Sequence, residues 1–232
     1  MANVLILRER EDGERTAASL SERGHVPLIL PMEATRRLEA PPPPGAFAGF
    51  ALTSARAVPA LAEHFSGDPR PVFCVGERTA AAARAVGFPS VRTGEGTAAD
   101  LAALATDAGL DGERGLLYAA GRRRTGTLER SLEAAGIRHV VWEVYETVAA
   151  RPDAATVASL LEGRRPDVAL LLSAGQAEAF AWLAERHAGF LNPPPRLLAL
   201  SPRIAAALPP ELASAAEISP TPRLSSLFER IG

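Results

Sequence analysis

The chain has 232 residues, of which 47% are hydrophobic and 22% are charged, and its formal net charge at pH 7 is −2. This composition is typical of a globular protein with one large domain or two small ones, and the charge argues against a broad basic surface for nucleic acid or an anionic membrane. No apolar stretch approaches the roughly 18 residues that span a bilayer. The short apolar start is followed by charges, which is not the order of a secretory signal, and the single cysteine, Cys74, cannot form an internal disulfide. We therefore expect a cytoplasmic protein with no nucleic-acid or membrane partner.

All 25 basic residues are arginine. Schiff-base chemistry needs a lysine amine, and the phosphate loop of the common nucleoside triphosphatases needs a lysine as well. Both classes of enzyme are therefore excluded. The four histidines lie far apart in the sequence and form no metal-ligand spacing. Cys74 lies inside an apolar run, which indicates an inert buried thiol. We expect neither a metal nor a cofactor.

Short apolar runs alternate along the chain with longer alanine-rich segments of helical period. The predicted strands are residues 3–8, 26–31, 49–53, 71–76, 89–94, 114–120, 139–147, 166–172, 195–200 and 215–220. The predicted helices are residues 11–24, 54–65, 77–87, 96–109, 121–136, 173–189, 201–208 and 223–232. Pro59 predicts a later start for the second helix, because proline is tolerated only in the first turn. Such alternation is typical of parallel sheets flanked by helices, an α/β fold.

Two proline-marked breaks divide the chain into three blocks. Residues 32–47 contain four consecutive prolines and are interpreted as a linker, and a second break covers residues 148–155. The first block has too few elements to bury a core alone, so it should join the third block. The sequence therefore predicts one discontinuous domain of residues 1–33 and 150–232, a second domain of residues 37–145, and connections at 32–46 and 144–152.

Each predicted domain repeats one pattern, an apolar strand followed by a hydroxyl or glycine turn and a helix. The run FALTSARAVPAL is echoed by LLLSAGQAEAFAWL, and VFCVGERTAAAA by LLALSPRIAAAL. Ligands of such sheets bind beyond the carboxyl ends of the strands, where helix N-termini attract anions. The candidate binding residues at these turns are Thr53, Ser54, Gly76, Thr79, Thr97, Ser173 and Ser201. Gly76 is expected to permit a sharp turn against the ligand, although each hydroxyl could simply cap a helix.

Arginines follow two of the predicted strands. Arg8 stands directly after the apolar residues of the first strand, and Arg122 begins a triplet that ends at Arg124. Guanidinium groups at these strand ends would meet an acidic ligand. A solvated run of charges is the alternative for the triplet.

With these residues the chain resembles the uroporphyrinogen-III synthase family over nearly its full length. The resemblance rests on VLILRE, ALTSARAV, VGERTA, GEGTAADL, LLYAAGRRR, WEVYET, LLLSAGQAEAF and LSPRIAAAL, in that order. It implies two flavodoxin-like α/β domains joined by a two-stranded connection. The family positions that carry over are Arg8, Ser54, Thr79, Thr97, Tyr145, Thr147 and Ser173. The third block departs from the family pattern, with Ile204 where a threonine is common and Gly175 in a turn that often reads TSPS.

The resemblance implies an enzyme that converts hydroxymethylbilane, a linear tetrapyrrole with eight carboxylates, into uroporphyrinogen III. The reaction loses water, inverts ring D and needs no cofactor. The resemblance also implies a monomer that makes transient contact with the preceding enzyme of the pathway. Tyr145 is the candidate proton donor; its alternative is an amphipathic core tyrosine. Two other functions stay open from the residues alone: a two-domain protein that binds a small polyanion without chemistry, and a glycosyltransferase that uses a nucleotide sugar.

Overall fold

The computed structural model describes residues 1–110 and 114–232. The strands of this part of the chain are β1 Asn3–Ile6, β2 Val26–Ile29, β3 Glu33–Arg37, β4 Gly49–Leu52, β5 Val72–Cys74, β6 Val91–Thr93, β7 Leu116–Gly121, β8 His139–Ala149, β9 Val168–Leu171, β10 Arg196–Ala199 and β11 Glu217–Ile218. The helices are α1 Arg10–Ser21, α2 Val58–Phe65, α3 Glu77–Ala85, α4 Ala98–Asp107, α5 Thr127–Ala134, α6 Ala154–Leu161, α7 Ala174–Arg186, α8 Pro202–Ala205, α9 Pro210–Ala215 and α10 Leu224–Phe228.

The chain divides into two compact units. Unit 1 contains Met1–Ala34 and Val148–Gly232, and unit 2 contains Thr35–Thr147. The sheet of unit 1 has the spatial order β2-β1-β9-β10-β11, and its paired strands are parallel. In the order in which the chain visits them, these strands are 2-1-3-4-5, which is the order of the flavodoxin fold.

Unit 2 is built on a sheet of the order β3-β8-β7-β4-β5-β6, in which the strands from β8 to β6 pair in parallel. If β7 and β8 are counted as the first and second strands and β4, β5 and β6 as the third to fifth, these five strands also have the order 2-1-3-4-5. Unit 2 therefore has the same spatial design as unit 1, with its chain order cyclically shifted. The shift makes β4 the counterpart of β9 and β5 the counterpart of β10, which is the internal similarity visible in the sequence.

The cores lie on both faces of each sheet. In β4, Phe50 and Leu52 belong to one buried cluster and Ala51 to another, because successive side chains of a strand point to opposite faces. In β1, Leu5 and Ile6 divide in the same way between two clusters of unit 1. A strand covered by helices on both sides is apolar at every position, which explains the continuous apolar runs in the sequence.

The α/β class and the alternation of strands and helices are confirmed, with local differences. β3 forms inside the segment interpreted as a linker, and α6 and α9 lie where no helix was predicted. α6 begins after Asp153, whose carboxylate accepts a hydrogen bond from the backbone nitrogen of Thr156 at 2.8 Å. α8 has only four residues, fewer than predicted. The later start predicted from Pro59 is confirmed, because α2 begins at Val58 after a short 3-10 turn.

Within the described residues, no helix is both long enough and apolar enough to cross a membrane.

Candidate functional site

A cleft of about 480 Å³ lies in unit 2 beyond the carboxyl ends of β4 and β7. The chain leaves β4 toward β5 on one side of the sheet and leaves β7 toward β8 on the other, so this is the point where the strand order reverses. Open α/β sheets bind their ligands at such a reversal, because the two diverging loops leave a crevice between them. The side chains used below line it: Thr53, Ser54, Tyr118, Arg123, Arg124 and Tyr145.

A larger cavity of about 620 Å³ lies at the opposite edge of the same sheet, between Phe47, Gly115 and His139. These residues precede or begin β4, β7 and β8, so the cavity faces the amino ends of the strands. Few ligands of this fold class bind there. We therefore assign the candidate site to the smaller cleft.

Two hydroxyl groups form a pair at the floor of the cleft. The Oγ1 atom of Thr53 and the hydroxyl of Tyr118 are 2.9 Å apart. Tyr118 is 3% exposed, and burial raises the pKa of its phenol above the ordinary value. The hydroxyl of Tyr118 is therefore neutral at physiological pH and is engaged by the protein. Ser54 next to this pair accepts a hydrogen bond from the backbone nitrogen of Arg56 at 3.3 Å, which caps the following turn.

Tyr145 lies at the wall of the cleft, and its ring is placed by a close approach to β7. A Cβ atom on Gly121 would lie 2.7 Å from Cζ of Tyr145 and 2.9 Å from its hydroxyl oxygen. Only glycine leaves room for the ring in this position. Among the described residues, no hydrogen-bond partner is found for the hydroxyl of Tyr145, which is half-buried and lines the cleft. Of the two tyrosines, Tyr145 thus has the hydroxyl that remains available to a ligand.

The arginine triplet after β7 is not uniform. Arg122 donates to Glu143 at 3.3 Å and to Glu146 at 2.8 Å. Arg124 donates to Glu129 at 2.6 Å and to Glu143 at 2.8 Å. The hydrogen bond from Arg124, followed by that from Arg122, holds the pKa of Glu143 below its usual range. Both guanidinium groups are therefore committed to protein carboxylates.

The turn between β5 and α3 does not match the expectation for Gly76. Its φ is −164°, an extended conformation that any residue adopts, and the nearest atom to an added Cβ would be 3.9 Å away. Thr79 is only 4% exposed and faces the core beside Ala80 and Ala83. Neither residue lines the cleft. The idea that Gly76 is required for a sharp turn is wrong, since neither the backbone nor the space around it demands glycine.

Thr97 caps α4 with a complete capping box. Its hydroxyl accepts a hydrogen bond from the backbone nitrogen of Asp100 at 3.2 Å, and the Asp100 carboxylate accepts one from the backbone nitrogen of Thr97 at 3.0 Å. Thr97 also donates its hydroxyl to that carboxylate at 2.7 Å. The capping alternative considered from the sequence accounts for this threonine in full.

The remaining candidates lie in unit 1. Ser173 caps α7 by accepting a hydrogen bond from the backbone nitrogen of Gln176 at 3.2 Å. Ser201 precedes α8 but makes no side-chain capping bond. Arg8 donates to Thr16 at 3.2 Å and lies 3.4 Å from the Asp12 carboxylate.

Unit 2 thus brings together Thr53, Ser54 and Tyr145 of the predicted set. Sequence reasoning did not single out Tyr118, and it chose Arg122 from the triplet although Arg123 and Arg124 line the cleft. The signal for Tyr118 was its place in β7, which pairs with β4, the strand directly before Thr53.

The described residues contain no group of histidine, cysteine, aspartate or glutamate side chains that could hold a metal ion. Cys74 is buried in β5, and burial raises the pKa of its thiol to about 12. It remains a thiol at neutral pH and does not open onto the cleft. The ionisable and polar groups that line the cleft are therefore hydroxyl groups, arginines and the carboxylate of Glu129, which is bonded to Arg124.

A family model matches most of this chain, and a solved structure shares its fold. The family model for uroporphyrinogen-III synthase HemD matches residues 14–229. The crystal structure of uroporphyrinogen-III synthetase from Helicobacter pylori 26695 is similar over 99% of this chain and 97% of that chain, with 17% identity and a TM-score of 0.63. A mutant uroporphyrinogen III synthase from the extremely thermophilic bacterium Thermus thermophilus is 20% identical over 100% of this chain and 97% of that chain, with a TM-score of 0.46. A search of curated proteins finds no match.

Proposed function

The chain belongs to the uroporphyrinogen-III synthase family, and on that premise we propose that it cyclises hydroxymethylbilane to uroporphyrinogen III with inversion of ring D and loss of water. It is then a lyase of tetrapyrrole biosynthesis. The observation that carries this proposal is the family match over residues 14–229. The cleft at the strand-order reversal of unit 2 supplies a site whose groups suit the reaction.

The first chemical step is the departure of the terminal hydroxyl of the substrate, which leaves an electrophilic azafulvene. The departing oxygen needs a proton to become water. Tyr145 is the proposed donor, because its hydroxyl lines the cleft and has no protein partner among the described residues. A positioned donor of this kind contributes a rate factor of about 10²–10⁴.

Ring inversion follows when a ring D carbon attacks the azafulvene, and a spiro intermediate forms and breaks before final closure. These steps need no enzyme nucleophile. They need the linear substrate to be held so that ring D reaches the reactive carbon in one orientation, since closure without control gives the uninverted isomer. Thr53 and Ser54 are the proposed hydrogen-bonding groups of this cleft, and Gly76 remains a proposed backbone contact. Thr79 and Thr97 act through the structure of their turns rather than by direct side-chain contact.

Arg8, Ser173 and Ser201 remain proposed contacts of unit 1. Ser201 is the strongest of these three, because its hydroxyl makes no capping bond. Ile204 is 5% exposed and packs in the core, so it cannot replace the threonine that the family often has at this turn. Backbone nitrogens are the remaining donors there, and they do not depend on side-chain identity.

We also propose that the protein acts in the cytoplasm as a monomer, without a cofactor, and receives its unstable substrate from the preceding enzyme by transient contact. The single buried cysteine is compatible with a reducing compartment. Light scattering of the purified protein at several concentrations tests the oligomeric state. A constant mass of two chains would contradict the monomer.

The proposed activity is tested by mixing the purified protein with freshly prepared hydroxymethylbilane, oxidising the products and separating the porphyrin isomers. We expect mainly the type III isomer, formed faster than the substrate closes without protein. A protein that only binds polyanions would slow closure or leave the type I product unchanged. Type I product at the uncatalysed rate, without measurable binding, would show that the proposal is wrong.

A further inference from the structure

Around the end of β7, three arginines and three glutamates of the described residues neutralise one another. Three guanidinium groups are bonded to three carboxylates: Arg36, Arg122 and Arg124 to Glu129, Glu143 and Glu146. The pKa of Glu146 is held below its usual range by Arg36 first and then by Arg122. These six groups leave no net charge to attract a polyanion.

Arg123 stands between the two committed arginines and lines the cleft. It is exposed, and the described residues contain no carboxylate bonded to it. Its guanidinium group therefore keeps its donors and its full charge for a ligand. The hydroxyl of Tyr145 lines the same cleft, so an anion held by Arg123 would be held near the proposed proton donor.

Arg124 explains why the neighbouring carboxylates do not neutralise Arg123. It bonds Glu129 at 2.6 Å and Glu143 at 2.8 Å, and it also donates to the backbone oxygens of Gly121 at 3.2 Å and Arg122 at 3.3 Å. Arg124 thus ties together the turn from which Arg123 projects. An uncompensated glutamate in this cleft would repel an acidic substrate and compete for Arg123.

We propose that Arg123, and not its neighbours, binds a carboxylate of the linear tetrapyrrole, and that Arg124 is a positioning residue that keeps Glu129 and Glu143 bound. This inference rests on the proposed function for the identity of the ligand. A guanidinium group binds a carboxylate through two parallel hydrogen bonds, which fixes direction as well as distance. Arg123 then contributes to the orientation of the substrate in the cleft beside Tyr145.

The test compares Arg123→Gln with Arg123→Lys and with Arg186→Gln. Arg186 is a matched control because it is exposed, lies at the far end of α7 in unit 1, and has no carboxylate bonded to it in the described residues. We expect Arg123→Gln to raise KM about tenfold with a smaller change in kcat. The KM of Arg123→Lys should lie between those of Arg123→Gln and the wild type. Arg186→Gln should leave both KM and kcat unchanged. The KM of the wild type should rise more steeply with salt than that of Arg123→Gln, because the screened charge is absent from the variant.

Binding of uroporphyrin III, which has the same eight carboxylates as the substrate, gives a readout that does not depend on turnover. Quenching of its fluorescence by the protein should be saturable for the wild type and about tenfold weaker for Arg123→Gln. If the wild type makes type III product and Arg123→Gln matches it in KM and binding, the role of Arg123 is refuted while the proposed function stands. If the wild type makes only type I product, the proposed function is refuted, and the uroporphyrin comparison then decides whether Arg123 binds carboxylates.

Arg124→Gln separates positioning from binding. Loss of its four hydrogen bonds should lower thermal stability and kcat together, whereas Arg123→Gln should leave the melting temperature unchanged. Equal melting temperatures for Arg124→Gln and the wild type would contradict the positioning role.

Discussion

Replacing each of the two tyrosines by phenylalanine should separate catalysis from stability. Tyr145→Phe removes a hydroxyl that has no protein partner among the described residues, so the free energy of unfolding should change by less than about 0.5 kcal/mol. The same change removes the proposed proton donor, so kcat should fall by about 10²-fold or more. This combination of a large kinetic effect and a small stability effect is expected for Tyr145 alone.

Tyr118→Phe is the matched control, because it removes the same atom from the same type of residue in the same cleft. Its hydroxyl is buried and bonded to Thr53 at 2.9 Å. Loss of one such hydrogen bond costs about 1 kcal/mol, which corresponds to a decrease of about 2–4 °C in Tm for a chain of this size. Its kcat should fall less than that of Tyr145→Phe, since Thr53 remains in place.

Initial rates of type III formation and thermal unfolding curves for the three proteins measure both effects. A wild-type rate for folded Tyr145→Phe would refute the assignment of the proton donor. Equal losses of kcat in both variants, with no loss of stability in Tyr118→Phe, would refute the distinction between the two hydroxyls.

Three further results are expected. Gly121→Ala places a Cβ 2.7 Å from the ring of Tyr145, so it should cost about 1–3 kcal/mol of stability and lower kcat; a neutral result would show that the ring moves freely. Cys74, with a thiol pKa of about 12, should react with an aromatic disulfide reagent only after unfolding, and fast labelling of the native protein would contradict its burial. The hydrogen bond from Arg124 lowers the pKa of Glu143 in the folded state. This pair should therefore stabilise the protein above the unfolded pKa of about 4.3, and the stabilisation should be lost as the pH falls through the lower folded pKa. In denaturation experiments at several pH values, Glu143→Gln should reduce the loss of unfolding free energy on the acid side, and an unchanged pH dependence would contradict the pairing.

The α/β class could be predicted because strands covered on both faces are apolar at every position, as in Val168–Leu171. β3 could not, because Glu33–Arg37 has no apolar alternation and is an edge strand beside β8. α6 had a readable signal in Asp153, a helix-capping residue, but Pro152 directly before it also indicates a break between elements.

The candidate site was predictable only to the level of strand ends. Thr53 follows from its position in the pattern, since the carboxyl ends of parallel strands meet at one edge, whereas Tyr145 rests on the resemblance to the family. Which of three consecutive arginines is available to a ligand depends on Glu143 and Glu146, about twenty residues farther along the chain, and no local pattern contains that information. The burial of Thr79 likewise depends on which face of α3 packs against the sheet.

The division of the chain into units also sets the order in which each can form during synthesis. Unit 2 is one continuous stretch, Thr35–Thr147, so its whole sheet is available while the ribosome is still translating the rest. Unit 1 is different, because β1 lies between β2 and β9 in the sheet and β9 begins only at Val168. Until β9 emerges, the nascent chain carries an apolar strand with one unpaired edge, which is the kind of surface that invites wrong pairing. That edge of β1 stays without its native partner throughout translation of the residues between Ile29 and Val168.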